Sequence, residues 1–253
     1  MFGGDDLFGA NLDLSSLDGT NGFRINGAEA SDSSGYSVAS AGDFNGDGFG
    51  DILIGAYAVD ENGADVGAAY LVFGSDAGFA AELNLSALDG TNGFRMPGLA
   101  AIDWSAWSVA SAGDVNGDGR NDLIIGAPGA SPNGTQSGSS YVIFGRDGPF
   151  AADLNLAALD GIDGFRINGP AQFDFSGFSV SAAGDLNGDG VDDLIVGARD
   201  AFTDLIRHGA AYVVFGRPAP VSVVQTGTGG ADTYDGGDLD DTLSGAGGDD
   251  ILT

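Results

Sequence analysis

The stretch AGDFNGDGFGDILIGA (residues 41–56) sets four oxygen-bearing side chains, Asp43, Asn45, Asp47 and Asp51, at positions 1, 3, 5 and 9 of a glycine-broken loop, then turns apolar. It recurs as AGDVNGDGRNDLIIGA (112–127) and as AGDLNGDGVDDLIVGA (183–198). The copies lie 71 residues apart without a gap, and the register extends beyond them. LDLSSLDGTNGFRING (12–27) returns as LNLSALDGTNGFRMPG (83–98) and LNLAALDGIDGFRING (154–169), and Phe73–Gly74, Phe144–Gly145 and Phe215–Gly216 share one position. Such gapless self-similarity marks a repeat architecture in which each unit buries its faces against its neighbours.

Within a unit the signals are β throughout. GFRING (22–27), YSVASA (36–41), DILIGA (51–56) and GAAYLVFG (67–74) are short apolar or alternating runs bounded by Gly, Asn and Asp, which predicts four strands. The LSALDG-type segments read as excursions between strands. Four antiparallel strands per repeat predict an all-β fold of propeller blades, which usually take about 40–45 residues. The surplus of the 71-residue unit falls in AAELNLSALDGTNG (80–93) and its counterparts, with units near 12–82, 83–153 and 154–216. Closed rings use about four to eight blades, so three predict an incomplete ring. FGGDDLFGANLDL (2–14) matches the end of a repeat, FGSDAGFAAELNL (73–85). The expectation is an arc of a larger protein, or an assembly in which further chains complete the ring.

After Gly216 the texture changes. Residues 217–226 read as a linker with a short strand, and the period then drops to nine: GTGGADTYD (227–235), GGDLDDTLS (236–244), GAGGDDILT (245–253). Asp232, Asp241 and Asp250 share one position of this repeat, a pattern of calcium-binding parallel β-rolls.

Charge narrows the partners. The chain carries 37 Asp plus Glu against 8 basic residues, a net charge of −29. Nucleic acid demands the opposite sign. With no cysteine, neither disulfides nor thiolate metal sites exist. No apolar run approaches the roughly 18 residues of a membrane span, and the opening MFGGDDLFGA has no basic or apolar signal region.

The acidic loop has the chemistry of a metal site. Alternate oxygen donors in a tight curve converge, glycine at position 6 (Gly48) permits the turn, and the Phe49 carbonyl at position 7 can join. The result is an all-oxygen cage with three formal negative charges, the hard environment calcium prefers. Without a cation, two carboxylates about 4 Å apart repel by roughly 4 kcal/mol at an effective dielectric near 20. An EF-hand is excluded, because position 12 is Ile54, Ile125 or Val196 rather than a bidentate Glu.

These loops, each followed by a Tyr-containing strand and Phe-Gly, resemble FG-GAP repeats, the calcium-binding blades of the integrin α-subunit propeller and of many bacterial extracellular proteins. The resemblance covers about residues 11–216. It implies the ligand sets Asp43, Asn45, Asp47, Asp51; Asp114, Asn116, Asp118, Asp122; and Asp185, Asn187, Asp189, Asp193, completed by the carbonyls of Phe49, Arg120 and Val191. The GAP triplet is literal only at Gly126–Pro128, a departure that touches a turn and no ligand. The tail resembles the RTX (hemolysin-type) repeats of proteins exported by type I secretion. That likeness implies further calcium at the turns of Asp232, Asp241 and Asp250, with few complete sites in three nonapeptides.

Other features read as structural. His208, the single histidine, lies in a variable connection and builds no triad. Nearly every clustered Asp has a repeat position, which argues against an enzyme. Tyr36, Trp107 and Phe178 share one position and read as packing between blades. The expected function is a calcium-stabilised, secreted adhesion or binding module of a bacterial surface protein, recognising an extracellular protein or glycan. The alternatives are a lectin-like carbohydrate binder using Trp104, and a non-catalytic region of a type I-secreted hydrolase.

Overall fold

The computed structural model describes residues 10–61, 64–203 and 206–218, and the short strands 224–226, 233–234, 242–244 and 251–252. The chain divides into two units, Met1–Gly216 and Arg217–Thr253.

In chain order the first unit contains β1 (Arg24–Asn26), β2 (Ser37–Gly42), β3 (Asp51–Ala56), β4 (Ala68–Val72), β5 (Glu82–Asn84), β6 (Gly93–Pro97), β7 (Ser108–Gly113), β8 (Asp122–Ala127), β9 (Ser139–Ile143), β10 (Gly164–Asn168), β11 (Ser176–Gly184), β12 (Asp193–Ala198), β13 (Phe202–Thr203), β14 (Ile206–Arg207) and β15 (Ala210–Val214). The LSALDG-type excursions form single 3-10 turns at Leu14–Ser16, Leu85–Ala87 and Leu156–Ala158. Asp13 and Asn155 cap the first and third by accepting the N–H of Ser15 and Ala157.

The strands make antiparallel sheets ordered β2-β3-β4-β6, β7-β8-β9-β10 and β11-β12-β15. The fold is therefore all-β, with four-stranded antiparallel blades and no closed ring. The repeat and the blade differ in phase. The GFRIN-type strands β6 and β10 each complete the blade of the preceding repeat, with Phe94 opposite Leu71 and Phe165 opposite Val142, whereas β1 pairs in parallel with β5. The third sheet accordingly has three described strands, because its outer strand would come from a following repeat.

Packing explains why the strands read as continuous apolar runs. All residues of β8 and β9 are buried, since the second blade is covered on both faces. Leu123, Ile125, Tyr141 and Ile143 pack toward Leu53, Leu71 and Phe94 of the first blade. Ile124 and Val142 pack the other way, against Val180, Leu194 and Val196 of the third. The aromatics that recur at one position meet across blades: Tyr36 lies 4.9 Å from Trp107, and Trp107 lies 5.4 Å from Phe178 between ring centroids.

Each inner strand ends in a bulge at Gly42, Gly113 or Gly184, immediately before the first loop aspartate. These glycines have φ of 68°, 76° and 68°, the left-handed conformation of a glycine bulge. A Cβ on Gly42 or Gly113 would sit 2.2 Å from Asn121 or 2.1 Å from Asp192 of the next blade. The invariant Ala-Gly-Asp of the three copies thus bends the strand and lets the next blade approach.

In the second unit β16 (Val224–Thr226) pairs in parallel with β18 (Thr242–Ser244), and β17 (Thr233–Tyr234) with β19 (Ile251–Leu252). Val224 lies opposite Thr242 and Thr233 opposite Ile251, so partners stand two nonapeptides apart. Asp232, Asp241 and Asp250 lie outside the described residues.

Candidate metal centres at the blade tips

The three acidic loops join β2 to β3, β7 to β8 and β11 to β12 as hairpin tips. Two glycines turn each loop: Gly46 and Gly48 have φ of 73° and 88°, Gly117 and Gly119 73° and 86°, Gly188 and Gly190 77° and 93°. In the first loop the Asp47 N–H donates to both Asp43 Oδ1 and Asn45 Oδ1, each at 3.1 Å, which draws these oxygens together. The Asp43 Oδ2 accepts the Gly48 N–H at 2.9 Å. Asn45 Nδ2 donates to Asp47 Oδ2 at 2.8 Å, and Asp47 Oδ1 accepts the Phe49 N–H at 2.8 Å.

The pattern repeats side chain for side chain. The Asp118 N–H reaches Asp114 and Asn116 at 3.0 Å each, and Arg120 N–H donates to Asp118 at 2.9 Å. The Asp189 N–H reaches Asp185 at 3.1 Å and Asn187 at 2.9 Å, and Val191 N–H donates to Asp189 at 3.1 Å. In every loop the position-5 N–H thus draws together the oxygens of positions 1 and 3, while the position-5 carboxylate accepts from the position-3 amide and the position-7 N–H.

The position-9 aspartates lie deeper. Asp51, Asp122 and Asp193 are buried and turn both oxygens onto backbone N–H groups. Asp51 accepts from Phe44 and Gly74 at 2.9 Å each, Asp122 from Val115 at 2.9 Å and Gly145 at 2.8 Å, Asp193 from Leu186 at 2.8 Å and Gly216 at 3.0 Å. The acceptance from Gly74, Gly145 and Gly216 ties the loop to the Phe-Gly pair after the third strand. This bracing role was not legible in the ligand pattern. Among the described residues no three carboxylate or imidazole groups gather as a cluster. The donor chemistry of each loop, three carboxylates with an amide oxygen, nevertheless fits a hard divalent cation.

Burial pushes the Asp51 carboxyl up to about 6, against the opposing N–H groups of Gly74 and Phe44. Asp122 is pushed up to about 7, again chiefly by burial, with Asp118 and Asp114 adding repulsion. An unfolded aspartate titrates near about 3.9, so the folded chain holds these protons more tightly. Their stabilising contribution is full below the unfolded value and is lost as pH rises through about 6 and about 7. The metal-free chain is expected to melt at progressively lower temperature between about pH 4 and about pH 7. Thermal scans in chelator would check this, and a rising profile over that range would contradict it.

Neighbouring blades share the loops. The Asp43 N–H donates to Asn121 at 3.1 Å, and the Asp114 N–H to Asp192 at 2.9 Å. These position-8 side chains were not among the candidate ligands; they latch one blade tip to the next. A second set escaped the sequence reading: Asp32, Asp103 and Asp174, buried one per repeat. Their carbonyls accept the N–H of Ala58, Gly129 and Asp200, fastening the connection that enters each inner strand. Flanking non-glycine residues at positive φ, such as Ser31 and Ser33 or Ile102 and Trp104, were the available signal only in three dimensions. At that same end of the strands Tyr36, Tyr57 and Trp107 cluster, with Tyr57 4.8 Å from Trp107. His208 is exposed and donates its backbone N–H to Ala201, away from the loops.

Residues 34–72, 105–143 and 176–214 match the FG-GAP repeat. The chain is 30% identical over 215 residues to integrin alpha-5 of Xenopus laevis, covering 83% of this chain and 19% of that protein. It is 31% identical over 184 residues to integrin alpha-PS2 of Drosophila melanogaster, 70% of this chain and 12% of that one. It is 40% identical over 115 residues to phosphatidylinositol-glycan-specific phospholipase D of Rattus norvegicus, 44% of this chain and 13% of that one. The chain therefore spans less than a fifth of the length of these relatives. Matched residues and blade geometry coincide: this chain carries three FG-GAP repeats, and they build the blades of its first unit.

Proposed function

We propose that this chain is a calcium-stabilised, non-catalytic binding or adhesion module that works outside the cell. The observation that carries the reading is the loop repeated three times, in which the position-5 N–H gathers the oxygens of positions 1 and 3 beside the position-5 carboxylate. The ligands would be the aspartates and asparagine of each loop with the carbonyls of Phe49, Arg120 and Val191. Bound calcium would supply the positive charge that offsets carboxylate repulsion at the tips.

The tail of three nonapeptides supports secretion by a bacterial type I route with calcium at its own turns, since its strands pair two nonapeptides apart. Extracellular modules bind calcium with dissociation constants of about 10⁻⁴–10⁻³ M, so export would carry the chain from low to saturating calcium. Recognition of an extracellular protein or glycan would fall on the connections around Tyr36 and Trp107, at the opposite strand ends from the loops.

Calorimetric titration of the chelator-stripped chain tests the metal. The expected stoichiometry is three or more calcium ions, falling by one in Asp114→Ala. A titration without heat or saturation would overturn the reading.

A further inference from the structure

The three acidic loops are joined in series by more than blade packing. Position 8 of the second loop, Asn121, grips the first aspartate of the preceding loop from both sides. Its side-chain oxygen accepts the Asp43 N–H at 3.1 Å, and its own N–H donates to the Asp43 carbonyl at 3.3 Å. The next joint repeats the grip: Asp192 accepts the Asp114 N–H at 2.9 Å and donates its N–H to the Asp114 carbonyl at 2.9 Å. Two further contacts reinforce the first joint. The Arg146 N–H donates to the Phe44 carbonyl at 3.0 Å, one residue past the Gly145 N–H that braces Asp122. The Arg120 side chain reaches over the first loop, where a Cβ on Gly46 would stand 3.0 Å from its Nε, and it pairs with Asp147 at 2.7 Å.

The clamp residues sit at a telling place in their own loops. Asn121 stands between Arg120, whose carbonyl is the position-7 donor, and Asp122, the position-9 carboxylate. Asp192 stands likewise between Val191 and Asp193. A cation in one loop fixes positions 7 and 9, and therefore the residue between them. That residue holds the position-1 aspartate of the preceding loop, whose carboxylate oxygens, in the first loop, already accept the Asp47 and Gly48 N–H groups. Ordering one tip thus removes part of the ordering cost at the tip before it.

We propose that the three loops bind calcium cooperatively, with the position-8 clamps carrying the coupling from blade to blade. The coupling rests on the calcium reading of the loops and adds to it a route and a sign. A ligand that meets an already ordered site costs less conformational freedom on binding, which is positive coupling, and the effect is reciprocal. Repulsion between bound ions acts in the opposite sense. Sheets stack about 10 Å apart, beyond the roughly 8 Å screening length of physiological salt, so this repulsion is muted while the hydrogen-bonded joint is not. The loops then fill over a narrower span of calcium concentration than three independent sites.

Disabling the third loop with Asp189→Ala leaves two sites and one joint for calorimetric titration in physiological salt. After correction for site number, the second calcium is expected to bind about fivefold or more tighter than the first, the lower end of typical site–site couplings. Asn121→Gly, which places at position 8 the residue the first loop carries there, removes the side-chain clamp and spares every proposed ligand. It is expected to lose most of the coupling with unchanged circular dichroism. Asn121→Asp, which copies the clamp of the second joint, is expected to keep it. The Asp43 amide gives a second readout with Asn121 in place. When Asp47→Ala also disables the first site, calcium in the second loop is expected to slow exchange of the Asp43 N–H, and adding Asp118→Ala to abolish the slowing. Absence of calcium binding in the two-site chain would remove the metal reading itself, and the coupling with it. Independent or anticooperative sites, coupling undiminished by Asn121→Gly, or an Asp43 amide indifferent to calcium would each overturn the coupling and leave the metal reading standing.

Discussion

Calcium is expected to raise the melting temperature of the chelator-stripped chain by about 10 °C. The size follows from linkage: a ligand at about ten times its dissociation constant stabilises the folded state by about 1.4 kcal/mol per site. Three such sites give about 4 kcal/mol, and 1 kcal/mol moves the midpoint of a domain this long by about 2–4 °C. Asp47→Ala should cut the increment by roughly a third while leaving the metal-free midpoint nearly unchanged. The reason is that Asp47 is exposed and its side chain serves only the loop, meeting Asn45 and the Phe49 N–H. Differential scanning calorimetry with and without chelator measures both. Identical midpoints in calcium and in chelator would remove the metal from the account.

Asp122→Ala is expected to be the most damaging single change in the described blades, destabilising even the metal-free chain. Asp122 is fully buried and accepts the Val115 N–H at 2.9 Å and the Gly145 N–H at 2.8 Å. Truncation leaves two donors buried without partners, at about 1–3 kcal/mol each. A loss of about 2–5 kcal/mol follows, on top of any lost metal site. Asp122→Asn keeps one acceptor oxygen and should cost about half. Denaturant unfolding in chelator separates the two contributions. If Asp122→Ala matched Asp118→Ala there, the brace would carry no weight.

The contrast between these two aspartates shows where sequence reading stops. Both stand in one motif, and spacing alone casts both as ligands. Burial divides them, and burial depends on the Phe-Gly pair 23 residues later in the chain. The hairpin position of the loops, by contrast, was legible because Ile54, Ile125 and Val196 occupy the place an EF-hand gives to Glu. The four strand types were legible too, since apolar runs between glycines have few other solutions. The blade boundary was not. A period of 71 residues fixes the length of the unit and leaves its phase open. Only the pairing of β6 with β4 shows that GFRIN belongs to the blade before it. The latch residues Asn121 and Asp192 were hidden for a similar reason. Position 8 is Gly50 in the first loop, so the repeat offers no constant residue to notice there.

A blade that borrows its outer strand from the following repeat also bears on how such arrays change in number. Excising any run of 71 consecutive residues inside the array rejoins matching points of two repeats, so every surviving sheet keeps its complement of strands. Duplication works the same way in reverse. Recombination can therefore lengthen or shorten the array at arbitrary breakpoints without redesigning a joint.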